Sequence, residues 1–248
     1  MMTRVITTCA VALTCALAMP APTPAQSEPF VQMATTVVKN DMVPEYEELI
    51  KEGRDALEEI ELPFYLVYRV AQGAANQYIS FQPVSSFAEF DSPRGMLPAM
   101  GQAGFQAWIS RLNKTHLGRR VDILRARHDL SIPLAEGRRP TLALLRTVVA
   151  LPGRNGDYAQ WITDNWVPAM RDAGMNGVFH FQAAPGVGQG MWHRMELRDT
   201  WADFDGGHPV ARHVGQQAFG EILANNAQMT HAPDIKILSL RPELSILP

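Results

Sequence analysis

The sequence repeats itself, and that constrains its fold more than any motif in it. Phe87-Ala88-Glu89-Phe90-Asp91 returns as Trp201-Ala202-Asp203-Phe204-Asp205, 114 residues later. At the same offset Gly101-Gln102 and Phe105 return as Gly215-Gln216 and Phe219. So do Ile123-Leu124, Arg127 and Leu130-Ser131-Ile132, as Ile237-Leu238, Arg241 and Leu244-Ser245-Ile246. Upstream, Val37-Val38 matches Val148-Val149 and Tyr46 matches Tyr158, with small insertions between. A run of matches at a nearly fixed offset is an internal duplication. Whatever one copy folds into, the other folds into as well.

Within the first copy, residues 31–39 are β-branched and end at a polar pair, which predicts a strand. Pro44 suits a first helical turn, and Glu45, Glu47 and Glu48 complement the positive end of a helix dipole. Tyr46, Leu49, Ile50, Gly53, Leu57 and Ile60 then recur at three- and four-residue spacing, an amphipathic helix. Residues 64–70 and 77–84 read as a hairpin, 99–112 as a helix and 121–126 as a fourth strand. The order β-α-β-β-α-β is that of the ferredoxin-like unit. Such a unit covers one sheet face with helices and leaves the other bare, and a second copy in the same chain is the economical cover.

Residues 133–140, a polar stretch bounded by prolines, are the expected linker between a first repeat at 26–132 and a second at 141–248. In the second copy, strands are expected at 142–151, 177–183, 190–197 and 235–240, with helices at 158–173 and 210–224. Pro168 should kink or end the first of these helices. The glycine run at 185–190 joins strand to strand and opens no helix, so it lacks the context of a dinucleotide fingerprint.

The segment at 37–51 (VVKNDMVPEYEELIK) and the turn at 86–91 (SFAEFD), with this element order, resemble the dimeric α+β barrel superfamily. Its NIPSNAP-type and antibiotic-biosynthesis-monooxygenase-type domains are the most similar. The resemblance covers essentially all of the chain after the leader. It implies an α+β fold of tandem ferredoxin-like repeats packed sheet to sheet, here as a barrel within one chain. It further implies an interior that binds small, often aromatic, molecules or haem, and a homodimer as a common assembly.

Residues 1–25 are of another kind: a basic start at Arg4, an uncharged apolar run at 5–18, then small residues and prolines. That is the layout of a cleavable secretory leader, and the run is too short for a span of roughly 20 residues. Cleavage is expected after Ala25, with Ala18 and Ala21 as alternatives, and delivery to the periplasm or medium. Cys9 and Cys15 lie in the leader, so disulfides, thiol nucleophiles and thiolate metal sites are not expected beyond it. The chain carries 22 basic and 25 acidic residues, and losing Arg4 makes it more negative still. No basic face with interleaved aromatics exists, so nucleic acid is not an expected partner. Nor is a membrane, once the leader is removed.

Duplication also separates structure from function. Residues kept in both copies serve the shared fold, which assigns the acids of the repeated pentapeptide to capping and turns. A metal site at Asp203, Asp205 and His208 fits no standard spacing. Residues that differ between copies are drift or function. Strand alternation, taken with the rule that the more apolar set meets the helices, places Phe179, Phe181 and Ala183 on the helix side. The same rule places Met191, His193, Met195 and Leu197 on the helix side. His180, Gln182, Trp192, Arg194 and Glu196 are then expected in the barrel, with Arg146 the polar outlier of its strand. The first copy offers Thr35, Val67, Arg69, Tyr78, Ser80 and Gln82 at matching positions.

The expected site is therefore His180, Arg194 and Glu196 as the catalytic set, with Arg146, Gln182, Trp192, Tyr78 and Arg69 binding the ligand. His180 would shuttle a proton and Arg146 or Arg194 anchor an anionic oxygen. No metal and no cofactor is assigned. The other reading of the same groups is a buried polar network with its needs met internally. Three functions stand: a cofactor-independent oxygenase or isomerase of a small organic molecule, a non-catalytic periplasmic binding or stress protein, and a haem protein. The last would need an axial histidine such as His180 or His213, and no haem-enzyme motif surrounds either. A serine hydrolase is disfavoured by the lack of a G-x-S-x-G elbow.

Overall fold

A computed structural model describes residues 30–184, 186 and 190–248. The leader, and most of the glycine run, lie outside the described residues. The first half comprises β1 (Phe30–Val38), α1 (Val43–Glu59), β2 (Leu66–Gln72), β3 (Gln77–Val84), α2 (Leu97–Thr115) and β4 (His116–Ala126). The second comprises β5 (Leu142–Val149), α3 (Asn155–Trp161), α4 (Val167–Asp172), β6 (Val178–Ala183), β7 (Met191–Arg198), α5 (Pro209–Val214), α6 (Gln216–Ala227) and β8 (Asp234–Leu240). The strands close in the order β1-β3-β2-β8-β5-β7-β6-β4, every neighbouring pair antiparallel. The fold is α+β, two ferredoxin-like sheets joined edge to edge as one intrachain barrel.

The joins are β2 against β8 and β6 against β4. Each half also sends its C-terminal tail onto the other. Ile132 bridges to Val178, and Ile246 bridges to Tyr65. Ser131 Oγ accepts from the His180 N–H at 3.0 Å, and Ser245 Oγ accepts from the Val67 N–H at 2.9 Å. The Leu-Ser-Ile repeat is thus a clasp used twice.

The repeated pentapeptide caps a turn, as expected from its acids. Glu89 Oε1 accepts from the Ser85 N–H at 2.7 Å, and its counterpart Asp203 accepts from Asp199 and Thr200 at 3.0 and 2.8 Å. The repeated glycine also has a physical cause. Gly101 (φ 67°) kinks α2 and Gly215 (φ 85°) separates α5 from α6, a conformation that side chains resist. One helix expected at 210–224 is for this reason two.

Three apolar cores result. The lumen is packed by rows from both halves, including Val31, Met33, Tyr68, Ile79, Phe81, Leu124, Ala143, Leu145, Met195, Leu197 and Leu238. A second core joins the outer face of β1, β2 and β3 to α1 and α2 through Val38, Tyr46, Leu49, Val67, Tyr78 and Trp108. A third joins β5, β6 and β7 to α3–α6 through Val148, Tyr158, Trp161, Trp166, Val178 and Trp192.

The two faces of the strands are therefore the reverse of the sequence-based assignment. Phe179, Phe181, Met195 and Leu197 line the lumen; Val178 and Trp192, and with them the His180, Arg194 and Glu196 rows, face the helices. His193 likewise points into the lumen, where its Nδ1 meets Thr147 Oγ1 at 2.8 Å. An eight-stranded barrel is just wide enough for side chains to fill it, so the lumen takes the apolar rows of all eight strands. The second half's helix layer, bordered by polar loops, takes Arg146, His180, Arg194 and Glu196, while Asp122, His193 and Lys236 lie on lumen-facing rows.

Candidate functional site

The charged groups of the second half gather on the outer face of β5, β6 and β7 around Arg194. In the antiparallel register Arg194 lies directly opposite Arg146 on β5 and His180 on β6. Its guanidinium donates to Glu196 Oε1 at 2.8 Å and lies 4.4 Å from the Trp166 ring centre. Glu196 is fully buried and is also held by Arg198 at 2.7 Å and by His208 Nε2 at 3.3 Å. Burial alone would raise the Glu196 pKa, but Arg194, His208 and Arg198 outweigh it and hold the carboxyl well below the usual range.

Trp166 reaches this position through a helix irregularity. Pro168 has no N–H to close a normal turn. The chain before it widens to a π-helical turn over Ile162–Trp166, with the Val167 N–H bonded to the Ile162 carbonyl. The expected break at Pro168 takes this form, and π-turns of this kind concentrate at functional sites. The turn stacks Trp166 on Trp161 and brings it to His208 and Phe219, with ring centres 5.4 and 6.2 Å away.

Three buried polar atoms in this layer have no hydrogen-bond partner: Arg146 Nε, His180 Nδ1 and Trp166 Nε1. Each belongs to a residue that adjoins Arg194. Burial pushes the His180 pKa down to about 3, reinforced by Arg194 and opposed by Glu196 and the Leu130 carbonyl. The ring is thus neutral at physiological pH, with a free nitrogen. Burial and the neighbouring Arg194 also lower the Arg146 pKa. Burial raises that of Tyr158, although both arginines pull it down, so its hydroxyl stays protonated. Glu196 pairs with Arg194 and Arg198 and acts on Arg146 only through its field, so Arg146 is left without an ion pair among the described residues.

Trp192 and Gln182 border the cluster. Trp192 Nε1 donates to Asn155 Oδ1 at 2.7 Å, and its ring lies edge-on to Tyr158 at 5.5 Å. Gln182 Oε1 accepts from Arg127 at 3.2 Å. The structure thus brings together Arg146, His180, Gln182, Trp192, Arg194 and Glu196, on the helix side of the sheet rather than in the barrel. It does not bring Tyr78 and Arg69 to them. Those lie on the outer face of the other half, where Tyr78 donates to Glu47 and Arg69 reaches Asn76 Oδ1 at 3.4 Å.

Tyr158, Trp166, Arg198 and His208 were not on the expected list. The duplication carried a signal for two of them. At the offset that aligns β3 with β7, Arg198 stands where the first copy has Val84, and His208 where it has Arg94. His208 also caps α5 by accepting from the Val210 N–H, and among the described residues no cluster of three His, Cys, Asp or Glu is placed to hold a metal. Haem does not fit either candidate ligand: His213 is on an exposed face, and His180 is wedged between Arg194 and the tail carrying Ser131.

The lumen holds a cavity of about 330 Å³, walled by Tyr68, Phe81, Phe179, Phe181, Met195 and Leu197, and His180 also contributes to its lining. Burial raises the Tyr68 pKa to about 12. No group able to take or give a proton near neutral pH is thereby supplied by that hydroxyl.

Fold and cluster together define an α+β barrel with one polar, cation-rich layer beneath the helices of its second half. No protein-family model matches the sequence, and no curated protein matches it. Solved structures do share its fold. A protein assigned as a monooxygenase from Fusobacterium nucleatum subsp. nucleatum superposes with TM-score 0.61 at 11% identity, covering 86% of this chain and 93% of that one. An anthrone oxidase-like protein gives 0.61 at 9% identity, with 88% and 93% covered. Chlorite dismutase from Candidatus Nitrospira defluvii, bound to imidazole, gives 0.51 at 12% identity, with 88% and 93% covered. At such identities the likeness is one of fold.

Proposed function

We propose that the second half binds a small organic molecule through an anionic oxygen, and that the protein catalyses a cofactor-independent oxygenation or isomerisation of it. The observation that carries this is the set of unpartnered buried atoms on Arg146, His180 and Trp166 around Arg194. Buried polar groups are nearly always bonded, so several unmet ones in one place mark where a ligand supplies the partner. Arg146 and Tyr158 would stabilise an oxygen on which negative charge develops. His180, neutral with Nδ1 unpartnered, is the group placed to take a proton from the carbon beside a carbonyl, and a bound anion that offsets Arg194 would raise its low basicity toward the range this task needs.

The resulting enolate has two fates. Returned at a different carbon, the proton gives an isomer. With dioxygen, a CH₂ group becomes C=O and one water is released, so atoms and electrons balance without a cofactor. The solved relatives assigned as monooxygenase and anthrone oxidase-like support the oxygenase fate through fold alone. The NIPSNAP-type or monooxygenase-type affinity, removal of the leader on export, and a homodimer belong to the same proposal.

Anthrone tests it. The wild-type chain should exchange the CH₂ protons of anthrone with deuterated solvent and take up oxygen. His180→Gln should abolish exchange while leaving binding, and Arg146→Gln should weaken binding. Exchange that survives both changes refutes the assignment. Binding without exchange favours the non-catalytic reading, which the complete pairing of Glu196 with Arg194, Arg198 and His208 also supports.

A further inference from the structure

We propose that the first half carries a second, independent ligand site, for a small aromatic carboxylate, in the cavity between its sheet and α1 and α2. The cavity measures about 250 Å³. It exists because the copies diverged in size and charge. Registering β3 on β7 sets Ser80 against Arg194 and Gln82 against Glu196, and Ala34 against Arg146. The space occupied by the charged groups in the second half is left open in the first, and Ser80 and Gln82 line it.

The wall selects charge. Arg94 and Arg119 both line the cavity, and no aspartate or glutamate does. Arg94 is already engaged, 3.8 Å from Glu89 and 4.2 Å over the Phe90 ring. Arg119, opposite Thr36 in the β1–β4 register, makes no ion pair among the described residues. Its charge acts on the Tyr46 and Tyr65 hydroxyls, which hydrogen-bond with Thr36 and Ser80. Burial raises the pKa of both tyrosines, so neither offers a negative charge to Arg119. A planar carboxylate matches the bidentate fork of a guanidinium.

The wall also selects shape. Phe105 and Trp108 stack at 6.0 Å with 26° between planes, and Trp108 is fixed by a 2.8 Å bond from Nε1 to the Leu49 carbonyl. They present a rigid aromatic side to the cavity. Its volume falls just below the roughly 300–1,000 Å³ typical of pockets for larger ligands, which points to a single ring.

Benzoate and benzamide are the probes, titrated calorimetrically into the full chain. Benzoate should bind the first-half cavity, and uncharged benzamide at least about tenfold more weakly. Arg119→Gln, at an exposed position, should keep the wild-type melting temperature and lose at least about tenfold in benzoate affinity, whereas Arg146→Gln should keep that affinity. Equal binding of the two probes, no binding of either, or unchanged benzoate affinity in Arg119→Gln overturns the proposal. So does loss of benzoate binding in Arg146→Gln alone, which would assign benzoate to the other half.

Discussion

Glu196→Gln removes the one negative charge at the centre of the second-half cluster while preserving shape. Glu196 has no exposed surface, and Arg194, Arg198 and His208 all direct N–H groups at it. The amide can still accept from one arginine, but its NH₂ would confront the other. Two guanidiniums only 7–8% exposed would then lose the buried carboxylate that both bind, beside Arg146. Breaking a buried ion pair by removing one partner costs about 3–5 kcal/mol. In a chain of this size each 1 kcal/mol shifts the melting temperature by roughly 2–4 °C, so Glu196→Gln should melt about 6–20 °C below wild type. Urea unfolding followed by tryptophan fluorescence measures the same loss. A double change, Arg194→Met with Glu196→Leu, should be less damaging than the sum of the singles, because the charges disappear together. A loss below about 1 kcal/mol for Glu196→Gln would refute the view that this carboxylate holds the arginines in place.

Three further outcomes follow from the geometry. His180 and His193 titrate at about 3 and about 4 in the fold, against 6.5 ordinarily, because both are buried. The unfolded chain therefore binds protons first, and stability that is complete above pH ~6.5 falls by about 1.4 kcal/mol per pH unit per histidine on acidification; His193→Gln should flatten the urea-midpoint profile between pH 6.5 and 4. Ser131→Ala and Ser245→Ala each strip the acceptor from a backbone N–H, of His180 and Val67, and should each cost about 1–3 kcal/mol by urea unfolding. Gly215→Ala meets open space yet sits at φ 85°, so it should destabilise by about 1–3 kcal/mol through backbone strain alone, read as a lowered melting temperature.

The duplication made the architecture legible. The Leu-Ser-Ile clasps, the capping acids Glu89 and Asp203 and the glycines that break α2 and separate α5 from α6 all occupy repeated positions, and all serve the fold. The membership of the site was partly legible for the converse reason: Arg146, His180, Arg194 and Glu196 are where the copies differ. Its face was not. Alternation separates two faces without saying which is inward, and in a closed barrel both are covered. Phe179 and Phe181 read as helix-facing because helices usually take the apolar row, whereas here the lumen takes it. Trp166 was hidden for another reason. Its place depends on the π-helical turn before Pro168, and no pattern of apolar spacing specifies an extra residue in a turn.

The central claim is that Arg146 and its neighbours await an oxyanion. It is tested most directly by titrating 4-nitrophenolate, a coloured aromatic oxyanion, into the Arg119→Gln chain, where the first-half cavity lacks its anchor. The phenolate absorbance should then shift saturably, a shift lost when Arg146→Gln is added and kept when an exposed arginine such as Arg111 is changed instead. A shift of equal size and affinity with and without Arg146 would contradict it.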